Sequence, residues 1–126
     1  MGVVKQFKGD YKQLIAWQKA RVMVKAFYEF TARFPKEETY GLTSQIRRAA
    51  ISVPSNIAQG HARTTSREYA HFLSIAYGSA TELETLIYLS YDIGYIKDDK
   101  KDAALSMIEE ILKIVGSLRH NLKNEP

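Results

Sequence analysis

The chain predicts an all-α protein: an up-down-up-down antiparallel four-helix bundle with its second helix kinked at Pro54. Three observations carry that prediction. Apolar residues recur at three- and four-residue steps through most of the 126 residues, a spacing that lines up one face of a helix. Stop and start signals fall between these stretches, at Phe34-Pro35, at Thr65 and at Gly94. The connections left over are short, and short links between long helices favour antiparallel neighbours.

The first helix is expected at about 11–33, with Trp17, Ala20, Val24, Phe27, Thr31 and Phe34 on one stripe. Phe34 ends it, because the residue before a proline is driven out of helical conformation. The second is expected at about 42–62, on Leu42, Ile46, Ala49, Ala50, Val53 and Ile57. The apolar spacing stays in phase from Val53 to Ile57, so the helix should run through Pro54. That proline removes one backbone donor and crowds the carbonyl of Ala50, so the helix must bend and satisfy that carbonyl otherwise. Ser52, Ser55 and Asn56 are the polar side chains close by.

Thr65 and Glu68 form a capping box that opens the third helix, expected at about 66–93. Its stripe is Tyr69, Phe72, Leu73, Ala76, Ala80, Leu83 and Ile87, and Gly94 closes it as a C-terminal cap. Asp98 or Asp99 caps the fourth, at about 98–122, on Ala104, Ile108, Ile111, Val115, Leu118 and Leu122. Gly78 sits among small residues in the third helix, where glycine is unfavourable by about 1 kcal/mol relative to alanine. It therefore predicts the close approach of a neighbouring backbone.

At Gln45–Gly60 the chain reads QIRRAAISVPSNIAQG, and at Phe72–Leu86 it reads FLSIAYGSATELETL. With LIAWQKA at Leu14–Ala20 and FPKEETYGL at Phe34–Leu42, these runs resemble the four-helix-bundle family of 23S rRNA intervening-sequence proteins, also called S23 ribosomal proteins, over roughly residues 11–120. The resemblance implies the same bundle, assembly into ring-shaped homopentamers and an association with the ribosome. One departure is Gln59, where the family usually has Glu.

Composition bounds the function independently. The length suits one domain, 1–126, able to bury a core without staples. There is no cysteine, which excludes disulfides, thiolate metal sites and cysteine nucleophiles. No apolar run approaches the length of a membrane span, and Met1 to Asp10 lacks the apolar centre of a secretory signal. A cytoplasmic protein with no membrane partner is the expectation. The net charge of +4 is unevenly spread: residues 1–67 hold 12 Lys/Arg against 4 Asp/Glu, and residues 68–126 hold 6 against 10. The first half is the one suited to an anionic partner.

No catalytic constellation emerges. Glu68 and His71 have the E-x-x-H spacing of carboxylate-bridged metal sites in bundles, but those need a second such pair and further glutamates. No other Glu here has His three residues on, so no metal, cofactor or small-molecule substrate is expected. His61, His71 and His120 lie in no hydrolase motif.

Two kinds of candidate surface remain. Projection of the helices puts Ile15 and Val22 opposite the first core stripe, with Met23 and Phe30 beside them. Ile51 points away from the core of the second helix, and Ile75, Leu86, Leu89 and Ile93 form a second stripe on the third. Ile15, Val22, Phe30, Ile51, Ile75 and Leu89 are the candidate contacts of a homo-oligomer. Arg47, Arg48, Arg63, Arg67, Lys19 and Lys25 are the candidate contacts to phosphate, with Tyr40 or Tyr69 available to stack on bases. The reading is a non-enzymatic, homo-oligomeric bundle that contacts RNA or another nucleic acid. The alternative is a protein-interaction scaffold, and the competing role for Arg47 and Arg48 is an ion pair with Glu37 and Glu38.

Overall fold

A computed structural model describes residues 9–123, in which the periodic stretches form four α-helices and, among the described residues, no β-strand. They are α1 (Ile15–Thr31), α2 (Leu42–His61), α3 (Ser66–Ile93) and α4 (Asp98–Lys123). α2 packs most extensively on α3, and α3 on α4, while α1 touches both α2 and α4. All four contribute to one apolar core. Of the Met1 to Asp10 stretch, residues 1–8 lie outside the described residues.

α1 is shorter than the 11–33 expected. Tyr11–Gln13 form a separate 3-10 turn capped by Asp10, whose carboxylate accepts the Lys12 amide at 2.9 Å. Leu14 is extended, so α1 starts only at Ile15. The buried residues are Ala16, Ala20, Met23, Phe27 and Thr31, with Trp17 and Val24 half-buried on the flank. Met23, expected on the outer side, is fully buried. The core face is turned by about one residue because α1 lies between α2 and α4 and must bury a strip against each.

α2 runs unbroken through Pro54. The polar side chains near the proline do something other than serve the Ala50 carbonyl. Asn56 Nδ2 donates to the Ser52 carbonyl at 2.8 Å and to its hydroxyl at 3.0 Å, and the Ser52 hydroxyl hydrogen-bonds Ser79 on α3 at 2.7 Å. The result is a polar tie across the α2/α3 seam.

The close helix approach lies at Gly60, not at Gly78. A methyl group at Gly60 would stand 2.8 Å from Phe72 Cβ and 3.2 Å from the Tyr69 carbonyl oxygen, whereas one at Gly78 would meet nothing within 4 Å. Gly78 is on the exposed side of α3. The missing side chain at Gly60 lets the first turns of α3 settle on the end of α2. Tyr69 is thereby buried, its ring edge-on to His61 at 5.7 Å. Its hydroxyl makes no hydrogen bond among the described residues, and burial pushes its pKa up to about 12. Leu86, expected on the outer stripe, is also core.

Thr65 caps α3 by accepting the Glu68 amide at 3.2 Å, and Gly94, at φ 98°, ends it in the left-handed region that glycine adopts freely. Asp98 and Asp99 stand in the first turn of α4, one step inside the expected cap, where carboxylates still oppose the helix dipole. Glu38 receives the Leu42 amide at 3.0 Å and the Tyr95 hydroxyl at 2.9 Å, so the loop before α2 is fastened to the loop before α4. Those two bonds, the amide first, hold the Glu38 carboxyl below its ordinary range, and the bond to Glu38 raises the Tyr95 hydroxyl above its own.

Candidate nucleic-acid interface

The six basic candidates divide by what they already touch. Arg47 projects from α2 to the C-terminus of α1, where its Nε donates to Thr31 Oγ1 at 2.9 Å and an Nη to the Tyr28 carbonyl at 3.2 Å. Its guanidinium also lies 4.3 Å from the centre of the Tyr28 ring. The Tyr28 carbonyl already accepts the Ala32 amide at 3.1 Å, so Arg47 adds a second donor there and sets a cation against the negative end of the α1 dipole. Arg47 is thus a clamp between α1 and α2. Glu38, one of the two acids expected as its ion-pair partner, is occupied by Leu42 and Tyr95 instead.

Lys19 faces α4 and pairs with Glu110 at 3.1 Å. Arg63 lies over the Phe72 ring at 4.6 Å, its side chain still exposed. Arg48, Arg67 and Lys25 are exposed. They do not form one patch: at a rise of about 1.5 Å per residue, Arg48 stands roughly 20 Å along α2 from the end that carries Arg63 and Arg67. The aromatic candidates also separate, since Tyr40 is 95% exposed and Tyr69 is 1% exposed. Only Tyr40 is open to a base.

What does unite the first half is its charge. α1 and α2 together carry five Lys/Arg and one Glu, and α3 carries one Arg against four carboxylates. α2 contains no acidic residue. Beside the open seam of α1 and α2 stands Arg21, over the Trp17 ring at 5.5 Å, with Tyr11 edge-on to Trp17 at 5.3 Å. This grouping was visible only as Trp17 and Arg21 four residues apart. Tyr11 joins it because the 3-10 turn folds back beside α1.

The apolar candidates fall on separate surfaces. Ile15 and Val22 line the α1/α4 side, Ile51 the α1/α2 side, and Ile75 and Leu89 the outside of α3. Phe30 is largely an internal contact: it packs edge-on against Phe27 at 5.6 Å, and Lys100 lies over its ring at 5.7 Å. Glu68 and His71 are both exposed, and no group of three metal-binding side chains comes together among the described residues. No helix among them is long and apolar enough to cross a membrane.

The fold and surface define a small all-α four-helix protein whose first two helices carry its excess of cations. The sequence profile of the family described as 23S rRNA-intervening sequence protein matches residues 12–117, and the chain belongs to that family. A solved structure of a protein of unknown function from the S23 ribosomal protein family of Bacteroides thetaiotaomicron shares the fold, with a TM-score of 0.78 at 19% identity over 84% of this chain and 96% of that one. No curated protein matches significantly.

Proposed function

We propose that the chain is a non-enzymatic, cytoplasmic, ring-forming homo-oligomer, a pentamer by its resemblance to the family, that contacts RNA through the cations of α1 and α2. The observation that carries the RNA reading is the segregation of charge: a helix pair with five cations and one carboxylate, backed by an acidic α3. Cations clustered without acids attract phosphate and raise association rates, while the acidic side turns it away. The family's name, which refers to a segment of 23S rRNA, supports the same partner.

The helices run up-down-up-down, with a bend in α2 at Pro54. Supporting this order, the loop before α2 and the loop before α4 meet at one end through Glu38 and Tyr95, and Lys19 joins α1 to α4. For the ring, the exposed apolar residues on the α1/α4 side and on the outside of α3 supply two different patches, as a head-to-tail interface requires.

The test is a combined Arg48→Glu and Lys25→Glu variant. These side chains are exposed, so circular dichroism and light scattering should match the parent. RNA affinity should fall across unrelated sequences, and the slope of log affinity against log salt should flatten by about 1.4, at roughly 0.7 per phosphate contact on single strands. Unchanged affinity, or no RNA binding by the parent at low salt, would leave a protein-interaction scaffold as the better reading.

A further inference from the structure

The seams of the bundle hold grooves that differ in charge. The groove on α4 presents Asp102, Glu109 and Glu110 with a single lysine, a surface that repels phosphate. On the α1/α4 side the groove at Ile15 and Val22 contains Lys19, whose charge is met by Glu110 at 3.1 Å. The α1/α2 groove has no carboxylate in its lining. Its volume is about 380 Å³, within the range of about 300–1,000 Å³ typical of small-ligand sites.

The two walls are chemically distinct. α1 supplies Trp17, with the Arg21 guanidinium over its ring, and Val24; α2 supplies Ile51, Pro54 and Ala58. Pro54 contributes ring surface and no backbone donor, so this part of the wall offers a flat apolar contact. Ser55 adds a hydroxyl, and Tyr11 closes one end. A planar cation near the face of an aromatic ring, opposite an apolar wall, suits a flat ring that carries polar edges and an attached anion. Cations stand beside it on both helices: Lys25 is one turn beyond Arg21 on α1, and Arg48 one turn before Ile51 on α2, both exposed. Lys12, paired with Asp10 at 3.0 Å, is left out of this set.

Resting on the RNA reading above, we infer that the α1/α2 groove receives an unpaired base of single-stranded RNA, stacked against Arg21 and Trp17, with Lys25 and Arg48 on the flanking phosphates. Ring and charge together decide the occupant. A nucleotide brings both a flat ring for the Arg21–Trp17 wall and its own anion for the cations beside it, whereas the acidic α4 groove of a second copy offers charge without the flat ring. Paired bases are excluded because their faces are covered by neighbours in the stack.

Trp17 is the only tryptophan of the chain, so its emission reports on this groove alone. The full chain is titrated at low salt with a single-stranded oligoribonucleotide of about 12 nucleotides. One readout is Trp17 emission, and the other is anisotropy of a labelled RNA. Saturable quenching of Trp17 with the same midpoint as the anisotropy is expected. Ser55→Leu, an uncharged filling of the groove at an exposed position, should weaken binding about tenfold, in line with the loss of one base-stacking contact, and Arg21→Ala should weaken it at least as much. Circular dichroism and thermal melting of both variants establish that they fold.

Normal anisotropy with unchanged Trp17 emission and an unaffected Ser55→Leu variant would overturn the groove assignment while leaving RNA binding in place. No anisotropy change for the parent would overturn both readings. Equal affinity for a duplex of the same length, or Trp17 shielded from acrylamide in the free protein because another copy covers it, would also overturn the groove assignment.

Discussion

α2 meets two neighbours in two different ways. Against α3 it comes close at Gly60, where Phe72 and Tyr69 rest on the α2 backbone, and the Ser52–Ser79 bond ties the two helices further along. Against α1 it stands off, with half-buried Trp17 and Val24 facing Ile51 and Pro54 across an open groove. There the joint is made at one end, by Arg47 reaching over to Thr31 and Tyr28. A helix pair brought together at a glycine and tied by two short hydroxyl side chains leaves little space between its members. A pair joined by a long polar side chain at one end leaves room between its members, and that room is where a ligand can enter.

The contrast is most sharply tested at the glycines. Gly60→Ala should destabilise the protein by about 1–3 kcal/mol, since Phe72 Cβ and the Tyr69 carbonyl are fixed to backbone and have little room to yield. Gly78→Ala, in the same helix pair but facing open space, should stabilise by about 1 kcal/mol through helix propensity alone. Urea midpoints at constant m-value measure both. Similar values for the two would mean that the α2/α3 contact is looser than described.

Tyr69 provides a second probe of the close seam. Its folded-state pKa of about 12 lies above the ordinary value of 10.0, so the neutral hydroxyl is favoured on folding. The contribution is complete below pH 10.0 and is lost as pH rises through about 12, amounting to about 3 kcal/mol at roughly 1.4 kcal/mol per unit. Tyr69→Phe should remove that alkaline decline. At neutral pH it should leave stability equal or slightly raised, because the buried hydroxyl donates to nothing among the described residues. Denaturation followed at pH 8 and pH 11.5 in parent and variant separates the outcomes, and an identical pH profile for the two would refute the assignment.

At the open seam the effects should be smaller and confined to its clamped end. Arg47→Ala is expected to lose about 1–2 kcal/mol, the range for hydrogen bonds to a charged group reduced by partial exposure. Arg48→Ala should change stability by no more than about 0.5 kcal/mol, as is usual at an exposed site. Thermal melts of the two single variants make the comparison; equal losses would show that Arg47 does not clamp α1.

Much of the fold was legible because it rests on local rules. The period of Ile46, Ala49, Ala50, Val53 and Ile57 announced α2 and its passage through Pro54, and the Thr65–Glu68 cap and Gly94 marked the ends of α3. The candidate site was much less so. Arg47 and Arg48 are neighbours in sequence and look equivalent there, yet one is bound to α1 and the other is free in solvent. Lys19 reads as a surface cation until α4 brings Glu110 to it. Periodicity reports which side of a helix is apolar, and it is insensitive to a turn of one residue about the axis, which was enough to bury Met23 and bring Trp17 to the edge of a groove.

By itself, then, the order of residues determined the number and approximate extent of the helices, the identity of most core positions and the concentration of cations in the first half. These depend on spacing, capping and counting, all of which act over a few residues or none. The tertiary structure alone decided which glycine lies at a close contact, which arginine is a clamp, and that Tyr11, Trp17, Arg21 and Pro54 share one groove. Those outcomes depend on the distance and rotation between helices, which are set by how the side chains of both partners pack at once.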